Sequence, residues 1–136
     1  MSPERPETSP QPSRRVMVVD DTEVSRMLAR AYLELAGFIV SEHESAADAL
    51  TQLRANPDDS GLPAAMLIDI EMPVMGGEEL ARRVREEFGA ALRLIGYTAH
   101  CRDEELRRIK DAGFDQVVMK PGSVEQMALA IGAANA

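Results

Sequence analysis

The stretch Ala64–Gly77, AAMLIDIEMPVMGG, decides how the whole chain is read. Small and apolar residues run through Ile68 into Asp69, and Met72-Pro73 and a glycine pair follow. An apolar run bounded by turn residues is the pattern of a strand buried on both faces. Asp69 then stands where that strand ends, at the rim of a sheet. Taken alone, a strand-end Asp reads as a helix cap or a turn former. A carboxylate held there in charged form needs a partner, so the meaning of Asp69 depends on what else arrives beside it.

Toward the N-terminus, Val16–Val19 is another buried run, and it ends in Asp20-Asp21. Val24, Met27, Leu28, Ala31 and Leu35 recur at helical spacing and predict an amphipathic helix, closed by Gly37. Phe38–Glu42 reads as a strand centred on Ile39 and Val40, with His43 a strand-edge residue. Ser45 caps a helix with Ala46, Ala49, Leu50 and Leu53 inward, and Asn56–Pro63 is turn chemistry.

Toward the C-terminus, Leu80, Val84 and Phe88 mark a third helix. Leu92–Tyr97 is a fourth strand that ends at Thr98. Arg102–Ala112 is a helix with Leu106 and Ile109 inward, stopped by Gly113. Phe114–Met119 is a fifth strand that ends at Lys120-Pro121. Ser123 and Gln126 have the spacing of a capping box for a last helix through Met127 and Ile131. Strand and helix alternate five times, which predicts a parallel α/β sheet with helices on both faces.

The composition narrows the function. With 136 residues, 45% of them hydrophobic, the chain has enough material for one domain and a proper core. Residues 1–14, rich in Pro, are expected to be a disordered tail, and residues 15–136 the folded unit. A net charge of −8 argues against nucleic acid or an anionic membrane as a direct partner. One cysteine, Cys101, cannot form an internal disulfide, and a reducing, cytoplasmic setting is expected. Its place near a helix start predicts a lowered thiol pKa, although no resolving partner is nearby. No stretch approaches the roughly 18 apolar residues of a membrane span. The methionines are expected to fill the core.

In a parallel sheet the residues just past the strand ends share one edge, and ligands bind there where the strand order reverses. Asp20, Asp21, Asp69, Thr98 and Lys120 all hold that position. For the order 2-1-3-4-5 the reversal lies between the first and third strands, which deliver Asp20, Asp21 and Asp69. Three carboxylates at about 4 Å repel by roughly 4 kcal/mol a pair at an effective dielectric of 20. A hard divalent cation, Mg²⁺ or Mn²⁺, removes that repulsion and is commonly shared with a phosphoryl group. Lys120 and Thr98 can supply a positive charge and a hydroxyl donor to phosphoryl oxygens. Asp69 is then the candidate nucleophile, with the paired acids as metal ligands.

These residues resemble one family as a set. DD at the first strand end, D-x-x-M-P-x-x-x-G at the third, T-A at the fourth and K-P at the fifth look like the receiver domain of two-component response regulators. The resemblance covers about Arg15 to Ala136 and implies a flavodoxin-like receiver fold. It implies that Asp69 accepts a phosphoryl group from a phosphohistidine of a histidine kinase or histidine phosphotransfer protein. It also implies that the Glu71 backbone carbonyl joins Asp20, Asp21 and Asp69 in holding Mg²⁺, and that Lys120-Pro121 is cis. The domain would catalyse only its own phosphorylation and dephosphorylation, and would switch a downstream protein through the fourth helix, fifth strand and fifth helix. A single-domain protein is expected.

The chain departs from the family pattern in three places. Val117 stands where the family often has an aromatic residue, and Tyr97, by alternation, points to the other side of its strand. Gly76 replaces a common Asp or Asn and is expected to loosen the Asp69 loop. Pro121 is followed by Gly122 instead of an apolar residue. Glu71 and His100, two residues past Asp69 and Thr98, are candidates for tuning the acyl-phosphate lifetime.

Three other readings touch parts of the pattern. One is the receiver of a hybrid histidine kinase. Another is a haloacid-dehalogenase-type phosphatase, since Asp69-Ile-Glu71 resembles its Asp-x-Asp pair. The third is a flavodoxin-type FMN binder, which lacks support because no Ser/Thr/Gly-rich phosphate loop follows Val19.

Overall fold

The computed structural model describes residues 14–55 and 62–132. Five parallel strands, β1 (Arg15–Val19), β2 (Ile39–His43), β3 (Ala65–Asp69), β4 (Arg93–Thr98) and β5 (Gln116–Met119), lie in the order β2-β1-β3-β4-β5. The helices between and after them are α1 (Glu23–Leu35), α2 (Ala46–Ala55), α3 (Gly77–Phe88), α4 (Asp103–Asp111) and α5 (Val124–Gly132). The expected flavodoxin-like order is the observed one. The expected tail up to residue 13 and most of the Asn56–Pro63 turn lie outside the described residues.

Alternation along the strands divides the core in two. Met17, Val19, Met66, Ile68 and Leu94 pack with Leu50, Leu53, Leu80, Val84 and Ile109 under α2, α3 and α4. Val16, Val18, Leu67, Ile95 and Val118 face the other way, toward Ala29 and Leu33 of α1 and Met127 and Ile131 of α5. Every residue of β3 is buried, as a central strand between two helical layers requires.

Several helix signals act as their chemistry dictates. Ser45 Oγ accepts the Asp48 N–H at 3.0 Å. Ser123 Oγ accepts the Gln126 N–H, and Gln126 Oε1 accepts the Ser123 N–H, both at 3.0 Å, which completes the capping box. Gly37, with φ of 97°, turns the chain out of α1 in a conformation that a side chain resists.

Four expectations need correction. The stripe read as the apolar face of α1 points outward: Val24 is 74% and Leu35 77% exposed, and Met27 and Leu28 are also exposed. The buried residues are instead Ala29 and Leu33, which lie on the face that also turns Ser25 and Arg26 toward Asp20. The methionines do not all fill the core, since Met27 and Met119 are exposed. His43 is more than a strand-edge residue. It is buried, with Nε2 3.0 Å from Ser41 Oγ and Nδ1 3.0 Å from Asp48 Oδ2.

The fourth correction concerns the boundaries. Arg14 already belongs to the fold, since its Nε donates to the Gly37 carbonyl at 2.9 Å and its carbonyl accepts the Ile39 N–H. The fifth strand starts at Gln116 and not at Phe114. Asp115 is taken up by its neighbours, its Oδ2 accepting the Leu94 N–H of β4 and pairing with Arg85 of α3, both at 2.8 Å. Arg85 also donates to the carbonyls of Gly89, Leu92 and Gly113, so one guanidinium fastens α3 to the loops before β4 and β5.

Candidate functional site

The site lies at the carboxyl edge of the sheet, where β1 and β3 are neighbours and their connections leave in opposite directions. Parallel register sets Val19 opposite Ile68, and Asp69 opposite Tyr97. Asp20 and Asp69 therefore leave adjacent strands at the same height, and Thr98 follows one residue later on β4.

Asp20 is nearly inaccessible, and its carboxylate is fully engaged. Oδ1 accepts the Thr22 N–H at 2.9 Å, while Oδ2 accepts Ser25 Oγ–H at 2.6 Å and Lys120 Nζ at 3.0 Å. Asp69, also buried, accepts the Glu71 N–H at 3.1 Å through Oδ1. Lys120 Nζ stands 3.5 Å from that same oxygen, so one ammonium bridges the two buried acids. Asp21 is exposed, yet Asp20, Asp21 and Asp69 each offer an oxygen within 4.8 Å of the others.

One lysine does not neutralise this cluster. Burial, then the charge of Asp20, push Asp69 up to about 6, and a hydrogen bond with Asp21 adds to the rise, while Lys120 and the Glu71 N–H pull the other way. Burial disfavours the Lys120 ammonium, but its hydrogen bond to Asp20 and the charges of Asp20 and Asp69 outweigh that and raise its pKa. The donor set is all oxygen and carries more negative charge than the one cation offsets. That combination suits Mg²⁺ by charge and by ligand type.

The loop after β3 is shaped by backbone proximity. The Gly77 N–H donates to the Ile70 carbonyl at 3.0 Å, and a Cβ on Gly77 would fall 2.6 Å from the Asp69 carbonyl oxygen. Gly76, by contrast, is an extended N-cap with φ of −76° and room for a side chain. Val74, at the tip, is fully exposed with φ of 68°, an uncommon conformation for a β-branched residue.

The structure thus brings Asp20, Asp21, Asp69 and Lys120 together. Thr98 is buried beside them, but its Oγ1 donates to the His100 carbonyl at 3.0 Å and is not bonded to the cluster. Glu71 and His100 are exposed at the rim. The Lys120-Pro121 bond is cis. Tyr97 and Val117 lie in opposite layers, as alternation requires.

Cys101 is a correction. Burial and the charges of Glu105 and Asp103 raise its thiol pKa instead of lowering it. The sequence reading also overlooked Ser25 and Arg26, which fix Asp20 from the first turns of α1 through its carboxylate and, at 2.9 Å, its carbonyl. Their signal was two polar residues one turn past an Asp pair, at the start of an amphipathic helix.

Residues 16–132 match the family described as the response regulator receiver domain. Among curated proteins, the chain is 34% identical over 126 residues to the virulence sensor protein BvgS of Bordetella pertussis, covering 88% of this chain and 10% of that protein. It is 33% identical over 110 residues to the sensor histidine kinase RcsC of Escherichia coli, covering 81% of this chain and 11% of the kinase. The chain therefore spans about a tenth of the length of these sensor proteins. Among solved structures, the chemotaxis protein CheY4 of Vibrio cholerae superposes with a TM-score of 0.79 at 22% identity, over 90% of this chain and 98% of that one.

Proposed function

The chain belongs to the response regulator receiver family, and from that premise we propose that Asp69 is its phosphoacceptor in a two-component phosphorelay. The observation that carries this is the bridging of two buried carboxylates by Lys120 beside a third, at the reversal of strand order. A carboxylate oxygen of Asp69 attacks the phosphorus of a phosphohistidine, the P–N bond breaks, and the imidazole leaves with the electron pair. Mg²⁺, held by Asp20, Asp21, Asp69 and the Glu71 backbone carbonyl, would offset charge on the transferring group. Lys120 exchanges part of its pairing with Asp20 for a phosphoryl oxygen. Thr98 gives up its bond to the His100 carbonyl and turns its hydroxyl to the same group, so the fourth-strand loop follows. Glu71 and His100, exposed at the rim, set how readily water reaches the acyl phosphate.

The domain is a signalling module and not a conventional enzyme. Its phosphodonor is a histidine kinase or histidine phosphotransfer protein, its product is an altered affinity for a downstream protein through α4, β5 and α5, and its setting is the cytoplasm. No helix among the described residues is long and apolar enough to cross a membrane. The donor docks on the exposed Val24, Met27 and Leu28 of α1, because that helix starts beside Asp21 and a phosphohistidine must come within bonding distance of Asp69. The phosphatase alternative is set aside by the family match and by the early acid pair.

Incubation with acetyl phosphate and Mg²⁺, followed by intact mass, tests the assignment. One phosphoryl adduct is expected on the natural chain, with none on Asp69→Asn or after chelation of the metal. An adduct that persists on Asp69→Asn would place the nucleophile elsewhere.

A further inference from the structure

Lys120 has a neighbour outside the carboxylate cluster. Its ammonium lies 5.2 Å from the centroid of the Tyr97 ring, a distance at which a cation is drawn to the ring face. Tyr97 sits next to Thr98 in sequence but on the other side of the sheet, 3% exposed, in the apolar cluster that contains Leu33, Val118, Met127 and Ile131. At the tip of the ring, the hydroxyl accepts the Gly122 N–H at 3.2 Å. Gly122 has little freedom, since a Cβ there would fall 2.8 Å from Val118 Cγ1 and 3.2 Å from Met127 Cε. The Lys120 backbone is fastened as well, its N–H donating to the Thr98 carbonyl at 2.7 Å. One phenol thus meets the charged end of Lys120 with its ring and the turn two residues later with its oxygen.

We propose that Tyr97 is a positioning residue that seats the Lys120 ammonium and relays its displacement to the Gly122 turn and the start of α5, in the layer formed by α1 and α5. The inference rests on the reading of Asp69 as phosphoacceptor and Lys120 as a phosphoryl contact. When Lys120 moves from Asp20 to a phosphoryl oxygen, the attraction holding the ring changes. The phenol is close-packed, so the change is passed along its long axis to the Gly122 N–H. Val117, across the sheet, has no part in this route.

NMR spectra of the full chain with Mg²⁺, before and after addition of beryllofluoride as a phosphoryl mimic, test the relay. The Glu71 and Gly122 amides are both expected to shift in the natural chain. In Tyr97→Phe, which keeps the packing but removes the acceptor, the Glu71 response persists and the Gly122 response falls at least about twofold. Tyr97→Leu also removes the ring face and slows phosphorylation by acetyl phosphate about threefold at unchanged Mg²⁺ affinity, while Tyr97→Phe keeps the natural rate. A Gly122 response in Tyr97→Phe equal to that of the natural chain overturns the relay, and an unaltered rate in Tyr97→Leu overturns the seating of Lys120. If Glu71 does not respond even in the natural chain, the phosphoacceptor reading fails and takes this inference with it.

Discussion

Asp69 is held at a cost to the fold. In the unfolded chain it titrates near its ordinary 3.8, and burial beside Asp20 pushes it up to about 6. Below both values it is protonated in folded and unfolded chain alike and contributes nothing. As pH rises through that window the unfolded chain ionises first, so folding is opposed increasingly, by about 3 kcal/mol once both states are charged. Metal-free Asp69→Asn is therefore expected to match the natural chain in stability at about pH 3 and to exceed it by up to about 3 kcal/mol at pH 7. Urea denaturation at the two pH values, with chelator present, checks this, and added Mg²⁺ should narrow the gap by stabilising the natural chain alone. The acids and the lysine were legible because each ends an apolar strand, and parallel strands bring their ends together. Ser25 was not, because a serine on the first turn of a helix reads as an ordinary surface residue until Asp20 is seen beneath it.

At the scale of elements, the glycine pair divides its work. Gly77→Ala drives a methyl against the Asp69 carbonyl and is expected to lose about 2–3 kcal/mol and to slow phosphorylation. Gly76→Ser only offers the α3 N-cap a side-chain acceptor and should gain a few tenths of a kcal/mol. Thermal melts of the two variants separate these outcomes. In α1 the spacing marks one apolar stripe, Val24, Met27, Leu28, Ala31 and Leu35, but spacing does not say which side of a helix meets the sheet. That stripe faces outward, and the small Ala29 with Leu33 packs inward beside the neighbouring α5. The exposed stripe has a consequence for partners. Met27→Glu with Leu28→Glu should change stability by under about 0.5 kcal/mol, leave acetyl phosphate labelling intact, and reduce transfer from a phosphohistidine protein about tenfold or more. Paired labelling assays with the two donors check the split.

In the molecule as a whole, chemistry and fastening occupy opposite edges of the sheet. The carboxylates crowd the edge where the strands end, and Arg85 binds together the loops where β4 and β5 begin. Arg85→Ala strands two part-buried carbonyls and removes the ion pair of Asp115, and a loss of about 2–4 kcal/mol is expected. Calorimetry should show the lowered Tm, with the acetyl phosphate rate unchanged below the transition. The order of the sheet was readable from the alternation of segments and the chirality of their connections. The Arg85 clamp was not, because it joins side chain to backbone across 28 residues in a pattern with no sequence period.

The environment of Tyr97 also has a practical side. The chain has no tryptophan and two tyrosines, and one of them lies against the lysine of the pocket. Ultraviolet emission from a Tyr32→Phe variant would then come from Tyr97 alone. Its brightness would follow the comings and goings of the ammonium, so the protein carries a label-free optical gauge of its own occupancy.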